Sequence, residues 1–147
     1  ELPPLDLAAH NRLAALVADL VEAVVATPAG SPGLVAGVHD VAEGGLGVAL
    51  AEMAVRSGVG LVAHGVATHA ALFSEAPSRV VVCTRDPEAL GLAADAAGVP
   101  WSVLGRAGGD RLVVGDLVDL SLAEVTAAWR GAIPGALRAT EAGPGSR

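Results

Sequence analysis

Leu34-Val35-Ala36-Gly37-Val38-His39-Asp40-Val41-Ala42-Glu43-Gly44-Gly45-Leu46-Gly47 is the stretch that decides how this chain folds. Leu34 to Val38 is an apolar run of strand length, and Leu46 to Ser57 carries apolar residues at helical spacing, so the glycine pair falls at a strand-to-helix turn. A helix starting there presents free backbone N–H groups, which favour an anion such as a phosphate or carboxylate. His39 and Asp40 stand where the strand ends, a favoured place for ligand contacts in open α/β sheets. The competing reading is local: His39 hydrogen-bonds a neighbouring loop, Asp40 or Glu43 caps the helix, and turn geometry alone accounts for Gly44 and Gly45.

Working outward, Asp6 is placed to cap a helix running to about Ala26, with Leu13, Leu16, Val17, Leu20 and Val24 in one apolar stripe. The turn formers from Thr27 to Gly33 end it. Val59 to Val66 reads as a strand, Thr68 to Phe73 as a short helical turn, and Arg79 to Thr84 as a further strand. Asp86-Pro87-Glu88 supplies a cap, a proline at the first helical position and an acid in the first turn, with Gly98 and Pro100 as the stop. Trp101 to Leu104 and Arg111 to Val114 read as strands around a Gly105 to Asp110 turn. Ser121-Leu122-Ala123-Glu124 is a capping box opening a last helix to about Gly131. Strands and helices alternating in this way predict one α/β domain over residues 1–147, with helices packed on a mixed β-sheet, residues 1–5 as linker and 134–147 as a flexible tail. The first residue is Glu1, which suggests a piece of a longer polypeptide.

Composition narrows the function classes. The formal charge is −7, the basic residues are scattered singly, and Phe73, Trp101 and Trp129 are the only aromatics, so nucleic acid is not an expected partner. Neither a basic-then-apolar leader nor an apolar run near the ~18 residues a membrane span requires is present, and a cytoplasmic setting is expected. Cys83, alone in an apolar strand, reads as a small core residue. His10, His64 and His69 lack metal-ligand spacing, so no metal site is expected.

A second cluster, Leu72-Phe73-Ser74-Glu75-Ala76-Pro77-Ser78-Arg79, sets hydroxyls, an acid and an arginine before the apolar strand. Arg79 is suited to hold a phosphate or to pair with Glu75 and order the loop. Glu52, among Ala51, Met53 and Ala54, reads first as a solvated-face carboxylate, although that setting is poor unless it reaches a partner. Gly45-Leu46-Gly47-Val48-Ala49-Leu50 has leucine at the last position of a dinucleotide fingerprint, and no phosphate-loop lysine motif occurs.

With both clusters in place, the chain resembles the C-terminal domain of phosphoribosylformylglycinamidine synthase, synthetase subunit, in its small multi-subunit bacterial form. The resemblance rests on His39-Asp40-Val41-Ala42-Glu43-Gly44-Gly45-Leu46, Ala49-Leu50-Ala51-Glu52-Met53-Ala54 and Leu72 to Val82, supported by Leu5-Asp6-Leu7, Gly98-Val99-Pro100, Gly108-Gly109 and Trp129. Related synthetases and kinases share the glycine-rich turn, so order and spacing carry the likeness. Where the family usually has serine this chain has Ala42, which removes any hydroxyl contact to a phosphate there. The resemblance implies an ATP-dependent carbon–nitrogen ligase of purine biosynthesis that converts formylglycinamide ribonucleotide and glutamine-derived ammonia to the amidine. It implies ATP and Mg2+ in the full-length enzyme but no tight binding by this domain alone, which is expected to be inert. Implied partners are the preceding domains of the same polypeptide, a glutaminase subunit, a small accessory subunit and the ribonucleotide substrate. His39, Asp40, Gly44 and Gly45 would line a cleft beside an auxiliary nucleotide site, with Ser74, Glu75 and Arg79 as the neighbouring loop and no catalytic residue in this chain. The alternatives are a domain of aminoimidazole ribonucleotide, selenophosphate or thiamin-monophosphate enzymes, or a non-catalytic nucleotide-binding or assembly module.

Overall fold

The strand-to-helix junction forms where the sequence places it. In the computed structural model, β1 (Val35–Asp40) leads through a short turn into α2 (Gly45–Ser57), which Gly58 ends in the left-handed conformation. The structure describes residues 4–28 and 33–141, with side chains of 133–141 excluded, so the expected linker falls largely outside it and part of the 27–33 turn and the last residues of the expected tail do too.

Local caps set the other helices. Asp6 accepts hydrogen bonds from the N–H groups of Ala8 and Ala9 to start α1 (Leu7–Ala26), and those bonds hold its carboxyl below the ordinary range. Asp86 accepts from Ala89 N–H to start α4 (Pro87–Ala96). Thr68 caps the single turn α3 (His69–Leu72), and Ser121 and Glu124 bond each other's backbone N–H to start α5 (Leu122–Glu141). The backbone of α5 continues past the expected end at Gly131, through Pro134 and into the expected tail, to Glu141.

Two sheets form. β1 pairs antiparallel with β3 (Val80–Thr84) as a separate ribbon. β2 (Leu61–Ala63), β4 (Gly105–Ala107), β5 (Arg111–Val114) and β6 (Val118–Ser121) make a four-stranded sheet in the order β4-β2-β5-β6. Only β2 and β5 run parallel, so this sheet is mixed, and α2 and α5 pack on it.

Two expectations are corrected here, and one strand is added to those expected. Residues 101–104 form no strand, because the Trp101 ring lies on Gly91 of α4 and its Nε1–H donates to Asp95 at 2.9 Å. The strand comes one step later, within the expected turn, where Gly105 meets the Val62 carbonyl so closely that no side chain fits. β6 was not anticipated; Gly115 takes φ +48° and the Leu117 N–H closes on the Val114 carbonyl, forming a tight hairpin to β5.

The core lies between the mixed sheet and α2, α3 and α5. Val41, Leu46, Ala49, Leu50, Ala63, Leu72, Leu112, Val114 and Val125 are buried together there. The α1 stripe is shallower: Leu20 is buried, Leu13, Leu16 and Val17 are half-buried, and Val24 is exposed. Side-chain bonds tie α1 down, from His10 to the Ser78 hydroxyl (3.0 Å) and from Arg12 to the Gly98 carbonyl (3.3 Å).

Candidate functional site

The two informative clusters meet at the start of α2. Gly44 and Gly45 have φ of +76° and +66°, and a Cβ on Gly45 would come within 2.7 Å of the Phe73 and Ser74 backbone. The chain around Phe73 therefore lies directly on the first turn of α2, and the glycine pair serves that close approach. Glu75 reaches across and accepts the Gly44 N–H at 2.9 Å, so the carboxylate seat expected for a ligand is taken by a side chain of the same molecule. Neither Asp40 nor Glu43 caps the helix: the N-cap position is Gly44, which has no side chain to accept a first-turn N–H.

Arg79 does not pair with Glu75 among the described contacts. Its guanidinium donates to the Ser74 carbonyl and, at 3.2 Å, to that of Ala76, so it braces the loop through backbone oxygens. Ser78, with φ +61°, is the one described non-glycine residue in the left-handed region, and it lies at the point where the loop turns into β3.

Beside this junction, on the strand side of α2, is an open groove of about 300 Å³ lined by His39, Asp40, Ala42, Glu43, Val48, Ala49 and Glu52. His39 and Asp40 thus line a groove, whereas Gly44, Gly45, Ser74, Glu75 and Arg79 form the junction next to it. Asp40 has 75% of its side chain exposed and Glu43 is also exposed, so the rim carries negative charge into solvent.

Glu52 is the lining residue whose environment the sequence leaves misjudged. Rather than facing solvent, it stands 2.8 Å from His39 Nε2 and 3.5 Å from Trp129 Nε1 on α5, with a quarter of its side chain exposed. Its apolar neighbours were the available signal, because a carboxylate beside Ala51, Met53 and Ala54 requires a partner. His39 Nδ1 is 2.7 Å from the Asp40 carbonyl oxygen. The bond to that carbonyl raises the His39 pKa above its ordinary 6.5, reinforced by Glu52 and opposed by partial burial; the His39 bond holds Glu52 below its ordinary 4.5.

A phosphate would find few donors here. Gly44 N–H is held by Glu75, Arg79 by backbone carbonyls, and both His39 nitrogens by oxygens, while the groove itself presents carboxylates. These residues do not fit a nucleotide phosphate on their own. Among the described residues no three His, Cys, Asp or Glu side chains converge as metal ligands, and no helix is long and apolar enough to cross a membrane.

Helices layered on a mixed sheet, with a glycine-rich strand-to-helix junction at its side, define a layered α/β domain. Residues 12–117 match the family model described as AIR synthase related protein, C-terminal domain, and the chain belongs to that family. The phosphoribosylformylglycinamidine synthase subunit PurL of Acidiphilium cryptum is 42% identical over 130 residues, covering 86% of this chain and 17% of that protein. The same subunit of Brucella ovis is 43% identical over 106 residues, covering 69% of this chain and 14% of its own length. The chain therefore spans about a sixth of the curated relatives it matches. Among solved structures, PurLQS from Thermotoga maritima aligns at TM-score 0.67 with 19% identity, over 84% of this chain and 22% of that one. T. maritima PurL complexed with FGAR gives 0.63 at 16% identity, over 80% and 21%, and PurL complexed with ATP gives 0.61 at 17%, over 78% and 21%. At these identities the structural likeness concerns the fold.

Proposed function

We propose that this chain is the C-terminal α/β domain of a phosphoribosylformylglycinamidine synthase synthetase subunit and supplies one wall of a ligand cleft that other parts of the polypeptide complete. The reaction is ATP-dependent replacement of the formamide oxygen of formylglycinamide ribonucleotide by ammonia derived from glutamine. The observation that carries this reading is the 42% identity to a PurL subunit over 86% of the chain, which spans both motif clusters that meet at the start of α2. The groove at His39 and Asp40 is the ligand-facing part, and the Ser74, Glu75 and Arg79 loop with Gly44 and Gly45 holds its edge in shape.

ATP, Mg2+ and the reacting groups are held by the remainder of the longer polypeptide, because Gly44 N–H, both His39 nitrogens and Arg79 are already engaged and the groove carries carboxylates. The Asp40 and Glu43 carboxylates face the cleft and accept hydrogen bonds from a ligand or a cationic group across it. The further partners are the glutaminase and small accessory subunits.

The test is a chimera in which this chain replaces the matching segment of the A. cryptum subunit. With glutaminase and accessory subunits, ATP, glutamine and formylglycinamide ribonucleotide supplied, amidine formation is expected. A folded chimera that assembles but forms no amidine, beside an active parent, contradicts the proposal. Titration of the 147-residue chain alone with ADP and Mg2+ is expected to show no saturation.

A further inference from the structure

The imidazole of His39 is clamped between acceptors. Nδ1 lies 2.7 Å from the Asp40 carbonyl oxygen and Nε2 lies 2.8 Å from Glu52 Oε2. A carbonyl and a carboxylate only accept, so both contacts are hydrogen bonds only when both ring nitrogens carry hydrogen, that is, in the imidazolium. The remaining possibility, a proton on Glu52, is opposed by the direction of its titration, because His39 and Trp129 both donate to that carboxylate. The bond to Glu52 is in turn the only described hydrogen bond that joins the indole of Trp129 on α5 to the groove.

We propose that His39, Glu52 and Trp129 form a latch that holds α5 against the groove wall while His39 is an imidazolium and loosens when the ring gives its proton to solvent. A neutral imidazole keeps one N–H, and whichever nitrogen keeps it, a lone pair then faces an acceptor oxygen at 2.7 or 2.8 Å. That repulsion is relieved by moving Glu52 or the ring, and movement of Glu52 withdraws the acceptor from Trp129. The charged groups facing the ring are Asp40 on β1, whose carboxylate is 3.5 Å from Nδ1, and Glu52 on α2; Glu43 stands farther round the groove, and Arg56, one turn along α2, acts on Glu52. α5 contributes the neutral indole. The latch couples the charge of the cleft wall to the seating of α5, and it leaves His39 without a free donor for a ligand.

The inference concerns the same groove as the proposed function but needs no ligand, so a chimera that fails leaves it standing. The experiment is a pH titration of the 147-residue chain by NMR, following the His39 ring and the two tryptophan indole N–H signals, with Trp129 assigned by Trp129→Phe. His39 is expected to titrate above 6.5, and the Trp129 indole signal to shift with it while that of Trp101, bonded to Asp95, stays flat. Glu52→Gln is expected to lower the His39 midpoint and abolish the pH response of Trp129. Should Glu52→Gln fail to fold, the wild-type titration still decides. A His39 midpoint at or below 6.5, or a Trp129 signal that does not move through the His39 titration, overturns the latch.

Discussion

The glycine junction and the groove wall lie within a few residues of each other, yet they solve opposite problems. At the junction every distinctive residue is consumed by the molecule itself: Gly45 admits the Phe73 backbone, Glu75 occupies the Gly44 N–H, and Arg79 braces the loop through carbonyls. At the groove, the Asp40 and Glu43 carboxylates extend into solvent, and the one described contact of either is that of Asp40 with His39 Nδ1 at 3.5 Å. The contrast is between a conspicuous motif whose residues are spent on building the edge of the groove and less conspicuous carboxylates that line it and, on the proposed function, meet a ligand.

The largest expected effect breaks the junction. Gly45→Ala places a methyl group 2.7 Å from backbone atoms and forces a left-handed alanine, which together cost about 2–5 kcal/mol in denaturant unfolding. Leu72→Ala, beneath the same loop at 0% exposure, is expected to cost about 2–5 kcal/mol as well. Glu75→Ala leaves the Gly44 N–H to water and should cost about 1 kcal/mol, whereas Glu75→Gln, which still offers an acceptor, should cost less.

The groove responds to pH instead. Because the His39 pKa is raised, its contribution is fully present below 6.5 and is lost as pH rises through the raised value. Because that of Glu52 is lowered, its contribution is present above 4.5 and is lost as pH falls through the lowered value. Thermal stability should therefore carry a contribution from the pair that is whole between pH 4.5 and 6.5, and His39→Gln should flatten the alkaline limb, an effect of about 1 kcal/mol. Asp40→Asn and Glu43→Gln are expected to change unfolding by less than about 0.5 kcal/mol, as exposed side chains do.

Much of this was legible in the sequence, and for physical reasons. Asp6, Asp86 and the Ser121–Glu124 box fix helix starts through bonds spanning only a few residues, so local pattern suffices. The strand at Arg111 to Val114 and the β1–α2 junction carry their own periodicity. What local pattern cannot carry is the choice of partner. Trp101 is drawn to α4, Glu75 bonds across 31 positions to Gly44 instead of pairing with Arg79, and Glu52 meets a tryptophan 77 positions away. The β5–β6 hairpin turns on the single left-handed Gly115, a signal too short to read alone, and α5 runs on through Gly131, where the local pattern offers a stop.

The central claim, that the junction shapes the site and the groove wall serves ligand, is tested most directly by measuring amidine formation per folded molecule together with the thermal midpoint in the chimera, for Glu75→Ala and for the pair Asp40→Asn and Glu43→Gln. The account predicts that Glu75→Ala lowers the midpoint while the folded fraction keeps its activity, and that the groove pair loses activity at an unchanged midpoint. The reverse pattern, with activity lost from fully folded Glu75→Ala and retained by the groove pair, would contradict it.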